Sequence, residues 1–424
     1  MKIFIRKFHC FQLHTCKLLQ LPAFLLAVVL VCSISMTSVF AASATDTRIT
    51  ADNHIQQTID ALISWCDKEQ LANPSNAGVF SYSDWYAFSL GRLNTLSGKE
   101  STSSDVTTLH NTTSDYTDVL LQYIDDCYLT SDRLDASKAT EWHRICLTLA
   151  ANGITPSLPL LADGTYYRGY TKSLQTQGVN GPIWALITLD SLDCDLPADA
   201  CDTREQIVSE ILDSHIDGSG FAFTGTDVNI DITANALTAL APYYNGTSSR
   251  MNELSNATLE LLKAAVEESL LFLSSNQMPD GGFCSDMTPS SESCSQVLIA
   301  LTALSIDPLN DSRFANHDSN IVNALLAYQN TDGGFAHIAG DSSDRLASAQ
   351  ALQALTAYAL YCENGTSLYD LTDSCAPLIL PADTTYDNYN NQQTTASLHP
   401  LVILIPVILI SLILLILFFH IRKH

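Results

Sequence analysis

One turn sequence recurs along this 424-residue chain. The pattern Gln-x-x-Asp-Gly-Gly-Phe ends at Phe283 and again at Phe335, and a looser copy, SHIDGSGF, ends at Phe221. Self-similarity at a long period is typical of stacked supersecondary units rather than of a phosphate-binding loop. The chain is therefore expected to fold as an array of similar units.

Each copy of the turn precedes a segment with Ala and Leu at helical spacing. These segments are DITANALTAL, ESCSQVLIAL and LASAQALQAL, and the same frame fits DWYAFSLGRL, EWHRICLTLA and NGPIWALITL earlier in the chain. Five of the six have an upstream partner whose apolar stripe indicates a half-buried helix. The third partner, near PSLPLLADGTYYRGY, is poorly defined. The pattern predicts six helical hairpins.

The turn itself is predicted to be structural. Asp followed by two glycines favours a tight reversal with positive φ where a helix ends. Gln277 and Gln329 would bond the last helical turn to the loop, while Phe283 and Phe335 would pack between neighbouring hairpins. A phosphate-binding glycine loop would lead directly into a helix, whereas here several polar residues intervene.

Both ends of the chain predict an exported, membrane-attached protein. Residues 1–44 have the basic start, apolar run and small residues of a signal peptide. Residues 400–420 include an uncharged apolar stretch long enough to cross a bilayer, and the basic tail 421–424 is expected on the inner side. Residues 379–399 are polar and indicate a stalk. The folded ectodomain is expected to span residues 45–378.

Charge and cysteines narrow the function classes. The formal net charge of −25 is unsuited to binding nucleic acid, which needs clustered Lys and Arg. Nine cysteines remain after the signal peptide, so at least one thiol stays free unless it pairs between chains. Disulfide connectivity stays open. No cysteine or histidine pair has metal-ligand spacing, and neither a metal nor a cofactor is expected.

The repeated turns resemble those of the terpenoid cyclase and protein prenyltransferase toroids. Closer still, SDWYAFSLGRLN, GVNGPIWALITLDS, DITANALTALAPYY and SESCSQVLIALTALSIDP are similar to bacterial cell-surface proteins with prenyltransferase and squalene-oxidase-type repeats. The resemblance covers roughly residues 49–375. It implies an all-α (α/α)6 toroid, a closed barrel of six helical hairpins, but it transfers no activity because this fold hosts many.

In a closed barrel the inner helices would begin around one mouth. Their first positions include four acidic residues, which either offset the helix dipoles and cap free N–H groups, at about 0.5–1 kcal/mol each, or rim a binding cavity. In the second interpretation the cavity wall continues two and four positions further along each helix. The candidate ligand-binding residues are Asp84, Tyr86, Glu141, His143, Asn180, Trp184, Asp231, Thr233, Asn235, Glu292, Cys294, Gln296 and Gln350.

The resemblance suggests two enzymatic alternatives. Asp231 with Thr233 matches part of the acid motif of class II terpene cyclases, but Asn229 and Ile232 replace the flanking acids. Glu292-Ser293-Cys294 resembles the start of the prenyltransferase zinc motif, and the next inner helix supplies no histidine at the matching positions. Asp231 and Glu292 are the two candidate catalytic residues.

The sequence thus favours a non-enzymatic ligand-binding or adhesion module on a bacterial surface. The expected partner is a small molecule, a glycan or a host or surface protein, with no nucleic acid, and the C-terminal helix is expected to hold the chain in the cell membrane. An exported toroid enzyme using Asp231 or Glu292 and a structural surface spacer remain as alternatives.

Overall fold

A computed structural model describes most of the chain between residues 53 and 380. The predicted signal peptide, transmembrane helix and basic tail, and nearly all of the predicted stalk, lie outside the described residues. Across the described part, no helix combines the length and the apolar character that crossing a bilayer requires. The described ranges are 53–97, 104–131, 134–135, 138–157, 160–161, 174, 176–197, 200–285, 287–315 and 319–380.

The described chain is mostly helical. Short strands β1 (Thr176–Val179), β2 (Cys284–Ser285) and β3 (Thr288–Pro289) precede two of the helices, and β2 pairs antiparallel with β3. Two 3-10 turns, Pro74–Asn76 and Met251–Glu253, lie in connections. The helices are α1 (53–68), α2 (Ser81–Ser97), α3 (Ser104–Ser131), α4 (Ala139–Ala151), α5 (Asn180–Ser191), α6 (Arg204–Leu212), α7 (Ile230–Tyr244), α8 (Asn256–Asn276), α9 (Ser291–Ala303), α10 (Ile321–Leu326) and α11 (Arg345–Asn364).

Six helices form a closed ring of contacts. In chain order, α2, α4, α5, α7, α9 and α11 each pack against the next, and α11 packs against α2. They are the six segments that share the predicted frame. In α7 and α9 nearly every residue is buried, as expected for a helix covered on all sides.

The remaining helices lie outside this ring and are amphipathic. Helix α8, for example, buries a single stripe that contacts α7 and leaves its opposite face in solvent. Of the poorly defined third partner, Pro156, Ser157, Leu160 and Leu161 are described, and the two leucines are helical and buried. The inner and outer helices therefore alternate along the chain, as the repeat pattern predicts.

The three repeated turns have the same backbone bonding. In each, an N–H group donates to the carbonyl four residues later, at 2.8–2.9 Å: Ile216 to Gly220, Met278 to Gly282 and Asn330 to Gly334. Gln277 and Gln329 donate their side-chain amides to the carbonyls of Gly281 and Gly333, as predicted. Phe221, Phe283 and Phe335 are fully buried. The structural role predicted for the turn is confirmed.

Each buried phenylalanine also bonds to the following inner helix. The backbone N–H of Phe221 donates to Thr233 Oγ1 at 2.9 Å, and that of Phe335 donates to Ser348 Oγ at 2.9 Å. Cys294 occupies the equivalent position, and its sulfur accepts a hydrogen bond from the backbone N–H of Phe283. The fourth residue of each of these three helices therefore holds the turn that precedes the helix.

Replacing Thr233 with valine should lower the free energy of unfolding by about 1–3 kcal/mol, because the buried N–H of Phe221 loses its acceptor. Thr238→Val is the matched control. The Thr238 hydroxyl donates to the carbonyl of Ala234, which also accepts the regular backbone hydrogen bond of the helix. This change should therefore lower the free energy of unfolding by less than about 1 kcal/mol. Urea denaturation of both variants measures the difference, and equal losses would contradict the role assigned to Thr233.

The starts of the six inner helices meet around one opening, which we call the N-terminal mouth. The residues at the start of each inner helix contact residues at or just before the start of the neighbouring inner helix. Five of these contacts are hydrogen bonds, and in the sixth the Arg345 guanidinium lies over the Tyr82 ring at 6.0 Å. The hydrogen bonds join Arg144 to Asp84 (2.7 Å), Thr140 to Gln177 (3.1 Å), Val179 to Phe223 (3.2 Å), Asn229 to Ser285 (2.8 Å) and Ser291 to His337 (3.1 Å). The starts of alternate helices along the chain therefore share a common entrance.

Residues 365–380, here called the C-terminal strap, cross the opposite end of the ring. The strap exchanges backbone bonds with the segment after α5, where Asp195 N–H donates to Leu378 O at 2.9 Å and Leu378 N–H donates to Leu192 O at 3.1 Å. Asp373 forms an ion pair with the buried Arg92 of α2. The strap thus joins helix ends that are far apart in sequence.

All nine cysteines beyond the predicted signal peptide are described, and Cys284 and Cys294 are free thiols. Cys294 is fully buried and forms no disulfide with Cys284. Burial raises the pKa of its thiol to about 12, so the thiol stays protonated at neutral pH.

Candidate functional site

The inner helices leave a narrow stripe partly exposed inside the ring. On α7 this stripe holds Asp231 and Asn235, on α9 Glu292 and Gln296, and on α11 Gln350, while the neighbouring positions are buried. Residues four apart share one helix face, so this face is turned toward the space enclosed by the ring, the lumen.

Three amides lie at one level of the lumen. Asn235, Gln296 and Gln350 occupy the same frame position on three successive helices, and Gln296 Nε2 donates to Gln350 Oε1 at 3.1 Å. We call these three side chains the amide belt. An amide carries both donors and acceptors and no charge.

Four aromatic side chains pack together on the other side of the ring, of which Trp85 and Trp184 are partly exposed whereas Phe88 and Tyr369 are buried. Trp184 lies at the level of the amide belt on α5, 5.4 Å from the Trp85 ring and 5.8 Å from the Tyr369 ring of the strap. Phe88 stacks on Tyr369 at 5.5 Å and meets Trp85 edge-on at 5.7 Å. We call these four residues the aromatic wall. Tyr369 places the strap directly beneath the lumen.

Asp231 and Glu292 at the N-terminal mouth are not helix caps. The caps of α7, α9 and α11 are Asn229, Ser290 and Asp344, whose side chains accept backbone N–H groups. Asp231 and Glu292 follow these caps in the first turn. Acids in the first turn still offset the helix dipole, but their carboxylates are not needed to cap the N-terminus of the helix.

Glu292 has a partner that the sequence did not predict. Its Oε2 lies 2.8 Å from Nδ1 of His337 and accepts the Ser291 hydroxyl at 3.1 Å. The Glu292 side chain is 16% exposed and that of His337 is 53% exposed. His337 lies in the loop before α11, and no periodic pattern places a loop residue opposite an inner helix.

Asp84 and Glu141 belong to a structural ion-pair network. Asp84 is fully buried and accepts the Gly78 N–H (3.1 Å), the Tyr116 hydroxyl (2.5 Å) and Arg144 Nε (2.7 Å). Burial raises the pKa of Asp84, although Arg144 opposes that rise. Glu141 binds the other side of the same guanidinium at 2.6 Å. We therefore remove Asp84 from the candidate site.

Other predicted wall residues point away from the lumen. Tyr86 donates its hydroxyl to Asp67 of α1 at 2.7 Å, while Thr233 and Cys294 bond to the turns described above. His143 is 1% exposed. The helical frame put these four residues on the cavity wall. For Tyr86, Thr233 and Cys294 this expectation is wrong, because the two-residue offset rotates the side chain toward the outer elements.

Asn180 and Leu346 complete the N-terminal mouth. Asn180 begins α5, and its Oδ1 atom is buried with no hydrogen-bond donor among the described protein groups. Leu346 is exposed in the first turn of α11. It is one of six large apolar side chains exposed near the helix starts, the apolar rim: Val79, Phe80, Phe223, Met287, Ile338 and Leu346.

The enzymatic motifs remain incomplete. Among the described residues, no three His, Cys, Asp or Glu side chains are grouped to hold a metal ion. Cys294 faces the Phe283 N–H, so it does not join Glu292 and His337. Asn229, which stands where a cyclase has an acid, is the cap of α7 and accepts the N–H groups of Asp231 and Ile232.

Comparison with protein families identifies the family of the helical repeats. A family model described as the prenyltransferase alpha-alpha toroid domain matches residues 165–373. No curated protein is significantly similar to the chain. The matched range includes α5 to α11, whereas α1 to α4 precede it and complete the ring of contacts.

Proposed function

We propose, on the premise that residues 165–373 belong to the prenyltransferase alpha-alpha toroid family, that the six-helix ring is the inner wall of one closed six-hairpin toroid. We further propose that its lumen binds a neutral, polyhydroxylated ligand with an apolar face, with glycans as the leading class. The protein would act by binding rather than by catalysis.

One arrangement carries this proposal: the amide belt opposite the aromatic wall. Sugar hydroxyls need donors and acceptors together, and Asn235, Gln296 and Gln350 supply both without a charge. The C–H faces of a sugar ring pack on flat aromatic surfaces such as Trp184. A concave site with few polar groups and the partly exposed rings of Trp85 and Trp184 suits a ligand of this kind.

The N-terminal mouth supports the same ligand class. Asn180 Oδ1 offers an acceptor that no described protein group uses. The apolar rim provides contact area for the apolar part of a ligand or for a protein that presents a glycan. The signal peptide and C-terminal membrane helix predicted outside the described residues would display this opening on a cell surface.

Gln350→Leu should weaken glycan binding about tenfold or more, because a ligand hydroxyl would face an apolar group in place of an amide. A glycan array, probed with the full chain in a nonionic detergent, identifies the ligand, and titration measures its affinity. Gln122→Leu, an exposed amide on α3, is the matched control and should bind normally. Equal affinity of the two variants would refute the amide belt. Trp184 is less suitable because it also packs on Tyr369.

The Glu292–His337 pair favours one alternative, an exported enzyme. A carboxylate 2.8 Å from Nδ1 orients the imidazole and leaves Nε2 to act as a general base toward a ligand in the mouth. Mass spectrometry of a bound glycan after incubation with the chain tests this alternative. Conversion that Glu292→Gln abolishes would establish catalysis, and an unchanged glycan would leave binding as the function. Absence of any ligand would favour a structural spacer.

A further inference from the structure

A second cavity lies at the end of the ring opposite the N-terminal mouth. Its volume is about 430 Å³, within the range of small-molecule sites. The C-terminal ends of α5, α7 and α9 form its walls, and strap residues from Gly365, which directly follows α11, to Thr372 form one side. Tyr369 lines it and also belongs to the aromatic wall, so its ring lies between the cavity and the lumen.

The helix ends give this cavity a negative potential. The C-terminus of an α-helix carries a partial charge equivalent to about −0.5, which a basic residue in the last turn usually offsets. None of the four helices has a basic residue in its last turn. The ends of α5, α7 and α9 line the cavity and that of α11 adjoins it; among the described residues, basic side chains reach only the segment after α5, where Arg250 and Arg204 donate to the carbonyls of Asp193 and Cys194.

The charged side chains of the lining add to the negative potential. Arg250 is the only cation in the described lining, and its guanidinium is already bonded to Asp193 (2.8 Å) and Asp195 (2.5 Å). Asp190 is paired with Arg204 at 2.8 Å. Asp370 accepts hydrogen bonds from the backbone and hydroxyl of Thr372 and forms no ion pair within the described residues.

Hydroxyl groups supply the remaining polar surface. Nine serine and threonine residues line the cavity, far more than the single asparagine, so most neutral acceptors there are oxygens of small, rotatable hydroxyls. An ammonium group carries three donors and no acceptor, which this set of oxygens can satisfy. The Tyr369 ring is a further surface that attracts a cation.

We infer that this cavity binds a small organic cation with one or more primary ammonium groups. A bare metal ion is less suited to it, because no cluster of three metal-ligating side chains occurs in the described residues. The inference goes beyond the proposed lumen site, which selects an uncharged ligand and opens at the other end of the ring. The two sites can be tested separately.

Matched probes test the charge. The full chain, in a nonionic detergent, is titrated calorimetrically with 1,4-diaminobutane and with 1,4-butanediol, which has the same length and no charge. The diamine should bind at millimolar or lower concentration, the diol at least about tenfold more weakly, and added salt should weaken the diamine alone. Equal affinity for both probes, or no diamine binding, would overturn the inference.

Two variants locate the site. Asp370→Asn removes the carboxylate without an ionic partner, keeps an acceptor for Thr372, and should weaken diamine binding about fivefold or more. Asp217→Asn, an exposed acid near another turn, should leave binding unchanged.

Ser367→Lys places a tethered ammonium in the cavity and should abolish diamine binding, whereas Ser275→Lys on α8 adds the same charge elsewhere and should not. Wild-type diamine affinity in Asp370→Asn would refute the site even if the lysine variant fails to fold. Glycan binding in the lumen should persist in Asp370→Asn, which separates this inference from the proposed function.

Discussion

Gly333→Ala should lower the free energy of unfolding by about 3 kcal/mol or more. Gly333 has φ +97°, a conformation that costs an L-residue about 1–2 kcal/mol. The added Cβ would also lie 2.6 Å from the carbonyl oxygen of Ala61 in α1, too close for any real contact. The last repeated turn would have to move away from the first helix.

Gly340→Ala is the matched control. Gly340 has φ +92°, nearly the same backbone strain, but its Cβ would meet no atom within 4 Å. This variant should therefore lose only about 1–2 kcal/mol. Denaturant unfolding of both variants isolates the steric contribution. If the two losses are equal, close packing of the last turn on α1 does not help to close the ring.

Arg144→Leu should lower the free energy of unfolding by about 3–5 kcal/mol, because it leaves the buried Asp84 carboxylate without its cation. Glu141→Gln is the control. It breaks the other contact of the same guanidinium, but Glu141 is partly exposed, so the loss should stay below about 1 kcal/mol. If both variants lower the free energy of unfolding equally, the burial of Asp84 does not explain how much the Arg144–Asp84 ion pair stabilises the fold.

The effect of Arg144→Leu should depend on pH. Arg144 opposes the rise that burial causes in the pKa of Asp84, so its removal raises that pKa further. When the pKa of a carboxyl is higher in the folded than in the unfolded state, folding is not penalised below the unfolded-state pKa of 3.8. As pH rises toward the folded-state pKa, the carboxyl lowers the free energy of unfolding. The variant should therefore be closer to wild type at acidic pH than at pH 8, which unfolding at several pH values can measure. A pH-independent difference would contradict a charged Asp84.

The repeat pattern predicted the features that depend on local sequence. The turns, the bonds of Gln277 and Gln329 and the burial of Phe283 and Phe335 follow from residues within one hairpin. The choice of six inner helices was also correct, since a shared frame of small apolar residues marks helices covered on all sides. Whether the lumen binds a ligand is not decided by this pattern.

The parts that the sequence did not predict depend on contacts between distant segments. Asp84 looks like a rim residue until Arg144, Tyr116 and Gly78 enclose it. Thr233 has the right spacing for a wall residue, but its hydroxyl serves the preceding turn. His337 meets Glu292 through a loop without periodicity. Helical spacing fixes which residues share a face, but not which neighbour covers that face.

The position of the strap has a practical consequence. Its last described residue, Leu380, donates its N–H to Asp195 beyond the C-terminal end of α5. The polypeptide therefore leaves the ring at the pole opposite the N-terminal mouth. A sensor chip or bead coupled downstream of Leu380 would leave the entrance facing bulk solvent, so immobilised assays of lumen ligands should be free of steric blockage.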